Sequence, residues 1–121
     1  MKSLFHNKSI IDKYNFIIDI EEEYKSIESN HSFYKAIYLL KGNLTLRVKE
    51  IREGNKLIKY SYYFLNSNNN IIFGWDNAPH HDNIDTFPHH KHINNNSSIE
   101  ESSVRSLSDV FEILKNYFED L

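Results

Sequence analysis

Five of the seven histidines fall within thirteen residues, as His80-His81 and then His89-His90-Lys91-His92. Each block stands behind a proline, Pro79 or Pro88, and Trp75-Asp76-Asn77 runs into the first of them. Imidazole is the side chain whose unperturbed pKa lets it give or take a proton near neutral pH, and its neutral form binds transition metals. A hydrophobic core has no need of five of them side by side.

Two active chemistries suit these residues. In the first, a pair of imidazoles deprotonates a ribose 2′-OH and protonates the leaving 5′-oxygen, while a cation steadies the charged phosphorane. The catalytic candidates are then His80, His81, His89, His90 and His92, with Asp76 and Lys91 in support and Arg47, Arg52 or Arg105 as further cations. This reading requires no cofactor. In the second, the histidines hold a divalent transition metal. An extended backbone puts His90 and His92 on one side of the chain; His80, His81 or His89 adds a third ligand, with Asp76 or Asp82 as a carboxylate, and three ligands plus water make a site of the catalytic zinc type. His90, His92 and His81 lead the ligand candidates, although their spacing matches no established zinc signature.

Against both stands a structural reading. Asp76-Asn77-Ala78-Pro79 has turn chemistry, because Asp and Asn accept local backbone hydrogen bonds and Pro fixes φ. Phe87-Pro88 would then anchor the loop on the core, and Trp75 would plug a strand end. Lone histidines such as His6 and His31 are read as packing residues.

The elements that must hold this segment are legible on either side of it. Phe33 to Leu40 is aromatic and β-branched; Lys41-Gly42-Asn43 is a tight turn; Leu44 to Ile51 alternates apolar and polar residues. Arg52-Glu53-Gly54-Asn55 is a second hairpin turn. Leu57 to Leu65 is the next strand, Asn66 to Asn70 the third turn, and Ile71 to Trp75 the last strand. Short loops in succession favour strands that pair in sequence order. Earlier, Tyr14 to Ile27 fits both a strand and a helix period. We read a strand over about 15–24, a turn near Ser29-Asn30-His31 and a short helix before them. Helix 107–119 is signalled by Val110, Ile113, Leu114, Tyr117 and Phe118, with Ser106 as N-cap and Asp109 three residues on. The expected fold is α+β: an antiparallel meander of four to five strands, a C-terminal helix on one face, and a His-rich loop over 77–105 before it.

Composition bounds the rest. A chain of 121 residues is expected to be one domain. It has no cysteine, so there is neither a thiolate nucleophile nor a Cys-based zinc site. With no apolar run of membrane-spanning length and no signal-peptide pattern, a cytoplasmic protein without membrane attachment is expected. The net charge of −3 argues against binding nucleic acid through bulk positive charge. Residues 35–59 are nonetheless rich in Lys and Arg; alternation would make most of these a solvated outer face. The runs Asn68-Asn69-Asn70 and Asn94-Asn95-Asn96 are read as compositional bias that falls at turns.

Tyr60-Ser61-Tyr62-Tyr63, Trp75-Asp76-Asn77-Ala78-Pro79-His80-His81 and Thr86-Phe87-Pro88-His89-His90-Lys91-His92 resemble the hallmark run of the TumE family, small toxins of prokaryotic toxin–antitoxin pairs. Lys41-Gly42-Asn43-Leu44 with Glu50, and Glu101-Ser102 with Leu107-Ser108-Asp109-Val110, also resemble parts of that family's pattern, so that the likeness covers about residues 33–115. It implies a toxin neutralised by a cognate antitoxin, typically a helix-turn-helix DNA-binding protein. It does not supply the reaction; nuclease activity, on RNA before DNA, is inferred from the imidazoles. The alternative is a non-catalytic toxin that docks a partner protein through the same loop. One position departs from the pattern: the basic residue usual before Trp-Asp-Asn is Gly74 here.

Overall fold

A computed structural model describes residues 7–120. After a short helix, α1 (Asn7–Lys13), seven strands follow: β1 (Ile17–Glu28), β2 (His31–Leu40), β3 (Leu44–Glu53), β4 (Lys56–Leu65), β5 (Ile71–Asp76), β6 (His90–Ile93) and β7 (Ser98–Glu101). Helix α2 (Leu107–Glu119) closes the described chain. The strands form one antiparallel sheet in strict sequence order, β1 to β7.

The turns explain the order. Gly42 and Gly54 sit at φ +76° and +60°, where a side chain would be strained. Asn69, Asn94, Asn95 and Asn96 also take positive φ, the left-handed conformation that asparagine tolerates best after glycine. The asparagine runs therefore shape turns, and their side chains tie them: Asn66 Oδ1 accepts from the amides of Asn68 and Asn70, and Asn95 Oδ1 from that of Ile71.

Alternation divides the sheet into two faces. Ala36, Tyr38, Leu40, Leu46, Val48, Tyr60, Tyr62, Phe64 and Trp75 point to one and are buried. Both helices cover that face. Phe111 and Tyr117 of α2 meet Tyr38 and Phe64, and Tyr14, just after α1, stacks near Phe111. The α2 side chains Val110, Phe111 and Leu114 are almost wholly removed from water, which contributes roughly 2 kcal/mol each. Ser106 caps α2 by accepting the Asp109 amide at 3.4 Å; the Asp109 carboxylate reaches back to the Arg105 amide at 2.8 Å, one residue before the usual capping-box partner. Trp75 plugs the core as expected, at 1% exposure.

Three points differ from expectation. The sheet has seven strands, not four to five, because the stretch read as a loop over 77–105 contains β6 and β7. These are four-residue strands at the edge, too short and too polar to show a period. Within β1, register shifts fall at Ile17/Asp19 and Glu21/Tyr24, with Glu22 at φ +50°. The shifts turn Ile17 and Ile20 toward the core and leave Ile18 59% exposed, so neither a pure strand nor a pure helix period fits. His31 is also no packing residue: its side chain is mostly exposed, 4.0 Å from Glu53, while His6 lies outside the described residues. No helix among the described residues is long and apolar enough to cross a membrane.

Candidate functional site

On the uncovered face, β4, β5 and β6 bring one group of polar side chains together. Asp76 pairs with His90 across the β5–β6 ladder, and Gly74 pairs with His92. Period-two alternation then aims Asp76, His90 and His92 to the same side. His90 Nε2 is 2.9 Å from Asp76 Oδ1, His92 Nε2 is 3.1 Å from Asp76 Oδ2, and the two Nε2 atoms are 3.1 Å apart. His90 is 1% exposed and Asp76 7%. His92 is partly exposed, and its Nδ1 is buried with no partner.

His90 and Asp76 are oriented from outside the cluster. Pro88 accepts a hydrogen bond from His90 Nδ1 at 2.9 Å. Asp76 Oδ2 accepts from the Tyr63 hydroxyl at 2.6 Å, and Oδ1 from the Ala78 amide at 3.0 Å. Asp76 is therefore a turn former and a member of the cluster at once. Tyr63 reaches it by lying across Gly74, its partner on β4: a Cβ at position 74 would overlap the ring at Cδ1 and Cε1. Gly74 is the gap that lets the ring lie flat on the sheet. Sequence reasoning did not single out Tyr63; its signal was the pairing of an aromatic residue with a strand glycine.

Charge follows from these contacts. Burial alone would raise the Asp76 carboxyl, but hydrogen bonds from His92, Tyr63 and the Ala78 amide, with the charge on His90, outweigh it and bring the pKa down to about 2. Burial and the adjacent carboxylate push the Tyr63 hydroxyl far up, so it remains a donor. His81 is the outer ring of the group, 4.7 Å from His90 and 6.1 Å from His92 between ring centres. Burial, then the neighbouring His90, His92 and His80, lower its pKa against the opposing pull of Asp76, and so favour the neutral ring.

Asp76 links the site to acid stability. Its folded pKa lies below the ordinary 3.8, so the unfolded chain binds the proton more tightly and stability falls as pH drops from about 4 toward 2. The shift corresponds to about 2 kcal/mol. Urea unfolding over that window should show the loss in the native protein, and a flatter profile in Asp76→Asn. Parallel profiles in the two proteins would exclude this assignment.

The other candidates do not join the cluster. His89 points to the helix side, where Nδ1 is 2.7 Å from the Tyr60 hydroxyl. That hydroxyl, pushed up to about 12 by burial, donates to the Val104 carbonyl at 3.0 Å, so His89 Nδ1 is the donor to it. Burial and then Arg105 lower the His89 pKa. Lys91 is also on the helix side, its ammonium 4.3 Å from the Phe73 ring centre and 5.8 Å from that of Trp75, a cation–π position rather than a site cation. His80 is exposed and 6.4 Å from His81 between ring centres. Phe87 is 43% exposed and anchors nothing. Thr86 pins the loop instead, donating to the His89 carbonyl and accepting from the Ser102 amide.

A carboxylate and two imidazoles in contact can move protons among themselves or hold a cation; among the described residues Asp76, His90 and His92 form the one group of ligand type within reach of a common ion. The family model described as toxin TumE matches residues 7–120, a span that includes every one of these side chains. The chain belongs to the toxin TumE family. Membership in TumE makes it a toxin component, and a toxin component implies a cognate antitoxin. No curated protein and no solved structure matches the chain, so the roles of the TumE residues here rest on their geometry.

Proposed function

We propose that this chain is the toxin of a toxin–antitoxin pair and acts by cleaving RNA at the cluster of Asp76, His81, His90 and His92, with a helix-turn-helix DNA-binding protein as its antitoxin. One observation carries the reading. The cluster lies on the sheet face that neither helix covers, in line with an exposed basic stripe. Cross-strand pairing runs Lys35, Lys49, Ser61, Asp76, His90 in one row and Ile37, Arg47, Tyr63, Gly74, His92 in the next. At the usual strand spacing, Lys49 stands roughly 10 Å from Asp76 and Lys35 about 14 Å. Lys35, Arg47 and Lys49 are exposed and line a groove of about 170 Å³ with Glu22. A phosphate chain following these cations would end at His81 and His92. The net charge of −3 does not oppose this, because the local face is what a polyanion meets.

The geometry also narrows the mechanism. An in-line attack on phosphorus needs acid and base on opposite sides of the phosphoryl group, and His90 and His92 touch at 3.1 Å. They therefore work as one unit with Asp76. His81, neutral and outermost, is the group that takes the proton from a ribose 2′-OH. A non-catalytic docking toxin is the second reading, and the near-complete burial of His90 favours it, since a buried imidazole cannot itself touch substrate.

Expression of the native chain should arrest growth, and purified protein should cut RNA in preference to DNA. His81→Ala with His92→Ala should reduce both by at least about 100-fold, whereas His89→Gln should leave cleavage intact. Arrest by a folded double variant at the native level would reject the cluster as the toxic agent. Arrest without cleavage of any nucleic acid would favour the docking reading.

A further inference from the structure

The geometry points to a metal centre: Asp76, His90 and His92 form a three-ligand site for one divalent transition metal ion, with an open position on the side of His81. The argument begins with protons. A carbonyl only accepts, so the contact from His90 Nδ1 to the Pro88 oxygen puts a hydrogen on Nδ1. Neutral His90 then has only a lone pair at Nε2. That lone pair faces a carboxylate oxygen at 2.9 Å and a second imidazole nitrogen at 3.1 Å. The facing atoms are enclosed, with His90 at 1% exposure and Asp76 at 7%. A divalent ion satisfies all three ligands at once.

The spacing agrees. Bonds of 2.0–2.1 Å to imidazole nitrogen and carboxylate oxygen put neighbouring ligand atoms about 2.9 Å apart at right angles and about 3.4 Å apart in a tetrahedron. The contacts span 2.9 to 3.1 Å, two of them to different oxygens of one carboxylate, and one ligand atom from each residue lies within 4.8 Å of the others, so the three side chains need only close on a common ion to bind it. The outer contacts are also those of a metal site. His90 has its free nitrogen fixed by a backbone carbonyl, which sets the tautomer and raises the basicity of Nε2. The carboxylate is held by the Tyr63 hydroxyl and the Ala78 amide. Two imidazoles and one carboxylate suit zinc, iron, cobalt or manganese better than calcium or magnesium, which prefer all-oxygen shells. His81 is not a fourth ligand: it falls outside the group within common reach, and its partial exposure puts it where a water on the ion would be met from solvent.

The test uses the full chain, stripped with a chelator and dialysed, then titrated calorimetrically with Zn²⁺ and separately followed by the visible absorption of added Co²⁺. One ion per chain should bind, with a Co²⁺ band of nitrogen–oxygen ligation. His92→Gln, at a partly exposed position that leaves the core intact, should weaken binding by about 100-fold or more, and Asp76→Asn should do the same. His89→Gln should bind like the native chain. Binding that is unchanged in both ligand variants, or absent from a folded native chain, overturns the site. The outcome is separable from the nuclease reading. A bound ion with no cleavage keeps the metal centre and removes the nuclease; cleavage by chain that binds no ion, in the presence of chelator, does the reverse.

Discussion

Asp76→Asn is expected to abolish toxicity and to lower the unfolding free energy by about 2 kcal/mol. Four groups converge on this carboxylate, from His90, His92, Tyr63 and the Ala78 amide. Asparagine keeps the shape but loses the charge and turns an NH₂ toward groups that had an acceptor. Removing the charge from a buried pair commonly costs several kcal/mol; the retained amide oxygen keeps part of the bonding, and the folded pKa of about 2 sets the scale. RNA cleavage should fall by at least about 100-fold, because position and charge of both imidazoles depend on Asp76. Urea denaturation and a cleavage assay on the same preparation measure both effects. A folded variant with native toxicity would show that the carboxylate is not part of the toxic agent.

Gly74→Arg is expected to destabilise the fold by about 3 kcal/mol. Any Cβ at position 74 overlaps the Tyr63 ring. The ring must lift off the sheet, and its hydroxyl then leaves Asp76 Oδ2. Overpacking of this kind costs about 1–3 kcal/mol, and the lost charge-assisted hydrogen bond adds to it. Tyr63→Ala in the Gly74→Arg background should recover a large part of the loss, giving a coupling above about 1 kcal/mol between the two positions. Additive effects would mean that the ring does not depend on the gap. The glycine thus lets an aromatic hydroxyl reach the carboxylate, and Arg47, the partner of Tyr63 on β3, is the nearest cation in the same row.

Particular residues decide how much of this was readable beforehand. The hairpins from Phe33 to Trp75 follow from alternation and from Gly42 and Gly54, whose conformations few other residues tolerate. The side-by-side aim of His90 and His92 needed only an extended backbone, and β6 supplies it. The partition of the histidines was not readable, because it depends on which residue of a short polar strand meets Asp76. A shift of one residue would have sent His89 and Lys91 to the site and His90 and His92 to the core side. Tyr63 was hidden for a similar reason: its role lies in the absent side chain of the residue opposite.

The sequence-ordered sheet bears on when the chain becomes dangerous. Each strand pairs with the one made just before it, so the sheet can zip up as it leaves the ribosome. Asp76 and Tyr63 are in place by the fifth strand, but His90 and His92 arrive with the sixth. A nascent chain halted before His90 therefore has five of its seven strands but neither imidazole of the cluster, which on the proposed reading is a toxin without its weapon.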